Sequence, residues 1–223
     1  HVDLVVGDLD SASPAALAAA ARDGVAVERH PRDKDAVDTE LAIDAALARG
    51  FEHLVVLSGG GDRLDHGLAA LFLLAAPRLA RCRVEAWWAG AHIDVLRGPA
   101  KVDLAGRAGA IVSLIPVHGD ATGVTTAGLR FPLDGEDLPV GTSRGVSNEF
   151  LGGPASVSLR AGALLVIVPD GLGVLEGLGR LGDTDVSERA ETGQRATDPS
   201  TLGRLRDADV SERAETQPPG GAR

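Results

Sequence analysis

Apolar and polar positions alternate in two different rhythms along this chain. In the first 88 residues, short apolar runs are separated by longer Ala/Leu-rich stretches with helical spacing. Strands are predicted at 2–6, at 25–29 ("VAVER"), at 53–57 ("HLVVL") and at 83–89 ("RVEAWWA"). The first helix lies in "SPAALAAAARDG", with Ser13 as N-cap, Pro14 at the first helical position and Gly24 past the end. "DTELAIDAALARG" gives a second helix capped at Asp38 or Thr39 and stopped by Gly50, and "LDHGLAALFLLAA" a third ending before Pro77. Strands alternating with helices predict a mostly parallel sheet covered on both faces, with ligands beyond the carboxyl ends of its strands.

From Ala91 the rhythm shortens. "HIDVL", "AIVSLIPV", "GVTTAGL", "ASVSL" and "ALLVIVP" read as strands separated by Gly, Pro and Asp turns, a second unit expected to be a small β-sandwich. After Pro169 the apolar periodicity fades, and "LGRLGDTDVSERAET" returns almost unchanged as "LGRLRDADVSERAET". Two copies are too few for a solenoid, and the segment has too few large apolar residues to offset its ordering entropy. The expected organisation is an α/β domain at 1–88, a β-sandwich at 89–170 and a disordered tail at 171–223.

Composition narrows the function. Lys plus Arg number 22 against 32 Asp plus Glu, a net charge of −10, and no basic cluster tracks a phosphate backbone, which argues against nucleic acid as a partner. With 3% aromatics and no Tyr, the core rests on Val, Leu, Ile and Ala. Cys82 is the single cysteine, so no intramolecular disulfide framework exists, and it is expected to pack as a small apolar group. No signal-peptide pattern and no apolar run of about 18 residues is present, which makes the cytoplasm the expected location and a membrane an unexpected one. The sequence starts at His1 and contains no Met, so a fragment trimmed at its N-terminus is expected.

Each of the three α/β units places acids just beyond a strand: Asp8 and Asp10, then Asp33, Asp35 and Asp38, then Asp62 and Asp65. If the strands are parallel neighbours, these acids converge on one edge. Asp8 and Asp10 are two apart on extended chain, so their side chains point the same way and can address one ion. Mg²⁺ takes one or two carboxylates plus water and substrate phosphates, which suits such an edge.

Simpler explanations stand beside each motif. Asp is common in turns and caps, so one D-x-D carries little information, whereas three acid-bearing loops at equivalent positions carry more. "DKDAVD" serves equally as a solvated loop, or as a site where Asp35 meets metal and Lys34 meets phosphate. "SGGGDRLDH" matches neither the P-loop nor the dinucleotide-binding pattern, yet its backbone N–H groups and Arg63 can face phosphate near a helix N-terminus. Asp65 favours the helix dipole in any case, and His66 is by default an ordinary polar residue early in a helix. Trp87 and Trp88 face opposite ways on a strand, one toward the core and the other toward an interface or domain junction.

Taken in order, "GDLDS", "DKDAVDTE", "GGGDRLDH" and "GVSNEF…VSLRAGALLVI" resemble thiamine pyrophosphokinase, also called thiamine diphosphokinase, over residues 2–168. The resemblance implies a Rossmann-like α/β domain followed by a β-sandwich, assembled as a homodimer with active sites between subunits. It implies Mg²⁺-dependent transfer of a diphosphoryl group from ATP to the hydroxyl of thiamine, giving thiamine diphosphate and AMP. By motif match, Asp8, Asp10 and Asp35 would hold Mg²⁺ with Asp38 nearby. Lys34, Arg63, Asp65 and His66 would bind and orient ATP, and Ser147 and Asn148 would contact thiamine. Either Asp10 or Asp38 would accept the hydroxyl proton, and spacing does not choose between them.

Three departures accompany the match. Val37 stands where the family pattern has Thr, and Asp62 where it has Gly. The family pattern also begins upstream of "VDLVVGDLDS" with a strand and an Asp-Gly-Gly-type loop, so one βα unit of the nucleotide site is expected to be missing. Two other classes stay open at this stage: a thiamine- or thiamine diphosphate-binding module with impaired chemistry, and a D-x-D sugar-nucleotide transferase. An aspartyl phosphatase is disfavoured by Ala12.

Overall fold

The computed structural model describes residues 2–10, 12–33, 35–60 and 63–171, so Lys34, Asp62 and nearly all of the expected tail lie outside the described residues. Strand β1 (Leu4–Gly7), helix α1 (Pro14–Arg22), β2 (Ala26–Arg29), α2 (Asp38–Ala48), β3 (His53–Ser58), α3 (Leu64–Leu74) and β4 (Arg83–Trp88) follow the predicted order. Eight strands come next: β5 (Ala91–Arg97), β6 (Ala100–Leu104), β7 (Ile111–Pro116), β8 (Ala121–Ala127), β9 (Glu136–Leu138), β10 (Asn148–Glu149), β11 (Ala155–Leu159) and β12 (Ala163–Val168). None of the described helices is long and apolar enough to cross a membrane.

Local signals act as read at α1. Ser13 Oγ accepts the Ala16 N–H at 3.1 Å, Pro14 occupies the first helical position, and Gly24 past the end takes the left-handed φ of 72°. At α2 the expected Asp38 or Thr39 cap is not formed. Val37 holds the N-cap position without a side-chain hydrogen bond, and Asp38 is the first helical residue. The reason is tertiary: the Asp38 carboxylate lies against Gly7, where an added Cβ would stand 2.9 Å from its Cγ.

Among the described residues, parallel pairing is confined to two pairs of strands. β1 and β2 form a two-stranded sheet, while β3 and β4 are the parallel end of a six-stranded sheet ordered β10-β7-β12-β5-β4-β3. The remaining neighbours in that sheet are antiparallel, beginning with β4 against β5 around the turn at Ala89 and Gly90. A four-stranded antiparallel sheet, β6-β11-β8-β9, packs over part of it. The architecture is thus mixed α/β with a β-sandwich. Strands before and after residue 88 share one sheet.

Two cores lie on opposite faces of that sheet. Leu164 and Val166 of β12 join Val112 and Leu114 of β7 in the sandwich core, together with Val124, Val157 and Phe150. Leu165, between them in sequence, joins Ile43 of α2, Leu54 of β3, Leu74 of α3 and Val84 of β4 in the other core. Period-two alternation makes this possible: one strand buries both of its faces, which is why "ALLVIV" is apolar without a break. Arg97, at the end of β5, donates through Nη2 to the carbonyls of Leu74 and Ala76 at 3.1 and 3.0 Å, fastening the C-terminal end of α3 to the sheet. Cys82 is partly buried against the α/β core, and Trp88 packs there as well.

Phe150 is 1% exposed, and its ring lies where a side chain on Gly106 would stand, with 2.4 Å to an added Cβ. Phe150→Ala is expected to cost about 3–5 kcal/mol in urea unfolding. Phe131→Ala, at a ring 56% exposed, is expected to change stability by less than about 1 kcal/mol.

Candidate active site

The carboxyl ends of β1 and β2 carry the first two acid-bearing loops, and the structure draws them together around Gly7. The Gly7 carbonyl accepts the His30 N–H at 2.9 Å, which ties the exit of β1 to the exit of β2. Gly7 has φ 143°, a backbone region open mainly to glycine, and its missing side chain makes room for Asp38. Asp8 Oδ1 accepts the Asp10 N–H at 3.2 Å, an Asx-type turn that folds the loop back, with Leu9 left-handed at φ 64°. Asp10 Oδ2 in turn accepts from Arg32 Nη2 at 3.0 Å, joining the two loops through side chains. Asp35 is exposed on the same loop as Arg32. Asp8, Asp10 and Asp38 therefore share one loop cluster, with Asp35 on its second segment. Among the described residues, Asp8, Asp10 and Asp35 do not form a group with ligand atoms within 4.8 Å of one another.

The third loop follows β3. Ser58 Oγ accepts the Gly60 N–H at 3.2 Å, and Gly60 takes φ 80° close to Ala89, where an added Cβ would come within 3.1 Å of the Ala89 Cβ. Arg63 is the N-cap residue of α3 and reaches forward to Asp65, with Nη2 to Oδ2 at 2.6 Å and Nε to Oδ1 at 3.2 Å. This two-pronged contact holds the Asp65 carboxyl at about 2, well below its usual range. Both side chains are exposed, and so is His66 beside them.

Ser147 and Asn148 lie in the β-rich half, in the wall of a half-open cleft of about 300 Å³ that Phe131, Leu133, Arg144 and Val146 also line. Among the described residues, none of the acidic loops lines it. Ser147 has φ 59° and donates its N–H to Ser113 Oγ at 3.1 Å, which fixes the cleft wall to β7. Asn148 is 4% exposed, and its amide is committed to backbone. Its Oδ1 accepts from the N–H groups of Phe131 and Glu149 at 3.0 and 2.9 Å, and its Nδ2 donates to the Phe131 carbonyl at 2.7 Å. Asn148 thereby shapes the wall that carries Phe131.

Sequence reasoning missed Phe131, Val146 and Arg144. The available signal was an aromatic residue in a Pro-containing turn, "RFPL", in a chain with only four Phe. The Arg130 guanidinium stands 5.5 Å from the Phe131 ring centroid and bonds Glu149 at 2.8 Å. Arg144 pairs with Glu136. An exposed ring and an apolar Val146 suit a planar ligand.

Two family descriptions match the chain in sequence order: "Thiamin pyrophosphokinase, catalytic domain" over residues 1–86, and "Thiamin pyrophosphokinase, vitamin B1 binding domain" over residues 100–164. The thiamine pyrophosphokinase of Bacillus subtilis (strain 168) is 25% identical over 162 residues, 72% of this chain and 75% of that protein. The crystal structure of a Bacillus subtilis thiamine pyrophosphokinase has a similar fold, with TM-score 0.64 and 24% identity over 74% of this chain and 78% of that one. A thiamin pyrophosphokinase family protein from Enterococcus faecalis gives TM-score 0.61 at 25% identity over 74% and 78% of the two chains. The thiamin pyrophosphokinase of Candida albicans, 15% identical, shares the fold at TM-score 0.62 over 75% and 73%.

Arg63→Met removes the donor that holds the Asp65 carboxyl at about 2. An NMR-detected carboxyl titration is expected to find Asp65 back in the ordinary carboxylate range near 4. An unchanged low value would assign the shift to the helix N-terminus.

Proposed function

This chain belongs to the thiamin pyrophosphokinase family, a family of enzymes that serve thiamine diphosphate biosynthesis, and we propose that it transfers a diphosphoryl group from ATP to the hydroxyl of thiamine, with Mg²⁺, releasing AMP. One observation carries the reading. The catalytic match covers the loop cluster at Gly7 and the Arg63–Asp65 pair, while the vitamin B1-binding match covers the cleft at Phe131, Ser147 and Asn148. In this reading, residues 1–88 handle nucleotide and metal, and 89–170 handle thiamine.

The donor set fits Mg²⁺. Asp8, Asp10 and Asp35 offer hard carboxylate oxygens on neighbouring loops, and Asp10's present partner, Arg32, is an exposed surface pair that exchanges readily. Three converged carboxylates are unnecessary, because Mg²⁺ keeps several waters and takes substrate phosphate oxygens. When bound, Mg²⁺ would neutralise charge on the triphosphate. Arg63, anchored by Asp65 at the start of α3, offers guanidinium donors suited to phosphate, with Lys34 and His66 as further contacts. Phe131 and Val146 would hold thiamine's rings, and Ser147 a polar edge. Asp10 and Asp38 are the two groups proposed to accept the hydroxyl proton. Transfers of this kind depend on positioning and charge neutralisation more than on covalent help from protein.

We extend the proposal to the homodimer. Leu64, Leu68 and Phe72 follow one side of α3 and remain exposed, an apolar stripe of the kind that partner subunits cover.

Incubation of the purified chain with thiamine, ATP and Mg²⁺ is expected to give AMP and thiamine diphosphate in equal amounts. AMP should depend on added thiamine, and Asp10→Asn should lower turnover by at least about 100-fold. Release of nucleoside diphosphate in place of AMP, or full turnover in the variant, would overturn the proposal.

A further inference from the structure

A cluster on the central sheet is used by neither the loops at Gly7 nor the cleft. Glu85 of β4 and Asp94 of β5 are direct cross-strand partners, so both carboxylates leave the same face of the sheet. Like charges so placed repel, and these two side chains are largely withdrawn from water, at 16% and 14% exposure. His92 precedes Asp94 by two residues on β5 and shares that face. Its Nε2 stands 3.4 Å from Glu85 Oε2 and its Nδ1 3.6 Å from Asp94 Oδ2. The Trp87 ring, 4.5 Å away between centroids, holds the imidazole in place.

The His92–Glu85 contact is a long hydrogen bond at 3.4 Å, and the 3.6 Å to Asp94 lies beyond hydrogen-bonding range, against a usual N–H···O distance of about 2.9–3.0 Å. Only one imidazole nitrogen can face a given ion, and the Nε2 to Oε2 separation of 3.4 Å suits two ligands of a tetrahedral ion with bonds of about 2.0–2.2 Å, which stand roughly 3.3–3.6 Å apart. One ligand atom from each of Glu85, His92 and Asp94 lies within 4.8 Å of the others. His53 Nε2 sits 2.6 Å from Glu85 Oε1, a partner that orients the carboxylate and leaves Oε2 facing His92. Burial works against the charge of Glu85, but the hydrogen bonds from His53 and His92 outweigh it and hold that carboxyl below its usual range. Burial, with Glu85 adjacent, holds the Asp94 carboxyl above its usual range despite the opposing pull of His92. Arg83 is a further cation at the cluster, 3.9 Å from Glu85 Oε1.

We propose that Glu85, His92 and Asp94 bind a divalent first-row transition ion of the Zn²⁺ type, with His53 positioning Glu85. A mixed imidazole and carboxylate set favours such ions over Mg²⁺, and three protein ligands leave a position for water. The ion would bridge β4 and β5, the strand pair that joins the α/β and sandwich portions of the sheet. It would be separate from the Mg²⁺ of the loops at Gly7.

The test uses the full chain in a Cys82→Ser background, stripped with chelator and titrated with Co²⁺ in millimolar Mg²⁺ without nucleotide. One equivalent of Co²⁺ is expected to bind with visible absorption of a low-coordinate site, and Zn²⁺ should displace it. His92→Ala and Asp94→Asn should each weaken binding by at least about 10-fold, while Asp10→Asn leaves it unchanged. Circular dichroism confirms that each variant is folded, and His92→Gln replaces His92→Ala if the latter is not. Absence of saturable Co²⁺ binding, binding indifferent to both cluster variants, or binding lost in Asp10→Asn would each overturn the proposal.

Discussion

Strand β12 is the constraint from which the described fold is built. It pairs with β5 on one side and β7 on the other, and its successive side chains enter different cores: Leu164 and Val166 the sandwich, Leu165 the α/β side. A register slip of one residue would exchange the two sets, so the pairing is fixed by burial on both faces at once. The cleft depends on this wall through β7. The Leu114 N–H donates to the Gly145 carbonyl at 2.9 Å, and Ser113 Oγ receives the Ser147 N–H. The loops at Gly7 depend on it through α2, whose Ile43 packs in the same core as Leu165 while the Asp38 carboxylate reaches Gly7.

The α/β elements were legible because each combines an apolar run with local punctuation, as Ser13, Pro14 and Gly24 do around α1. The strands β6, β9 and β10 were not. "AKVDL", "EDL" and "NE" carry little periodic signal, and they are strands because β11, β8 and β7 offer them an edge. Sheet order was illegible for the same reason: a sequence shows that strands exist and not which edges meet. The division of parallel pairing into β1–β2 and β3–β4 is a product of long-range pairing alone.

The candidate site divides similarly. Motif spacing exposed the acids and Ser147, since their neighbours in sequence are their neighbours in space. It could not show that the Asn148 amide is spent on the Phe131 backbone, because the two residues are 17 apart and meet only through a turn. Glu85, His92 and Asp94 were invisible for a related reason. Each is unremarkable on its own strand, and the register of β4 against β5 makes them a group. Asp38 shows the opposite case, where a local capping signal yields to a tertiary neighbour, Gly7.

In the proposed function the acid-bearing loops take nucleotide and metal, and the aromatic-walled cleft takes thiamine. Backbone amide NMR on the labelled chain tests this division most directly, with thiamine and Mg²⁺–ATP added in separate titrations. Thiamine should give its largest shifts at the amides of Phe131, Val146, Ser147 and Asn148, and Mg²⁺–ATP its largest at those of Gly7, Asp8, Asp10 and Asp35. Thiamine shifts centred on the loops at Gly7, or nucleotide shifts centred on the cleft, would contradict the account.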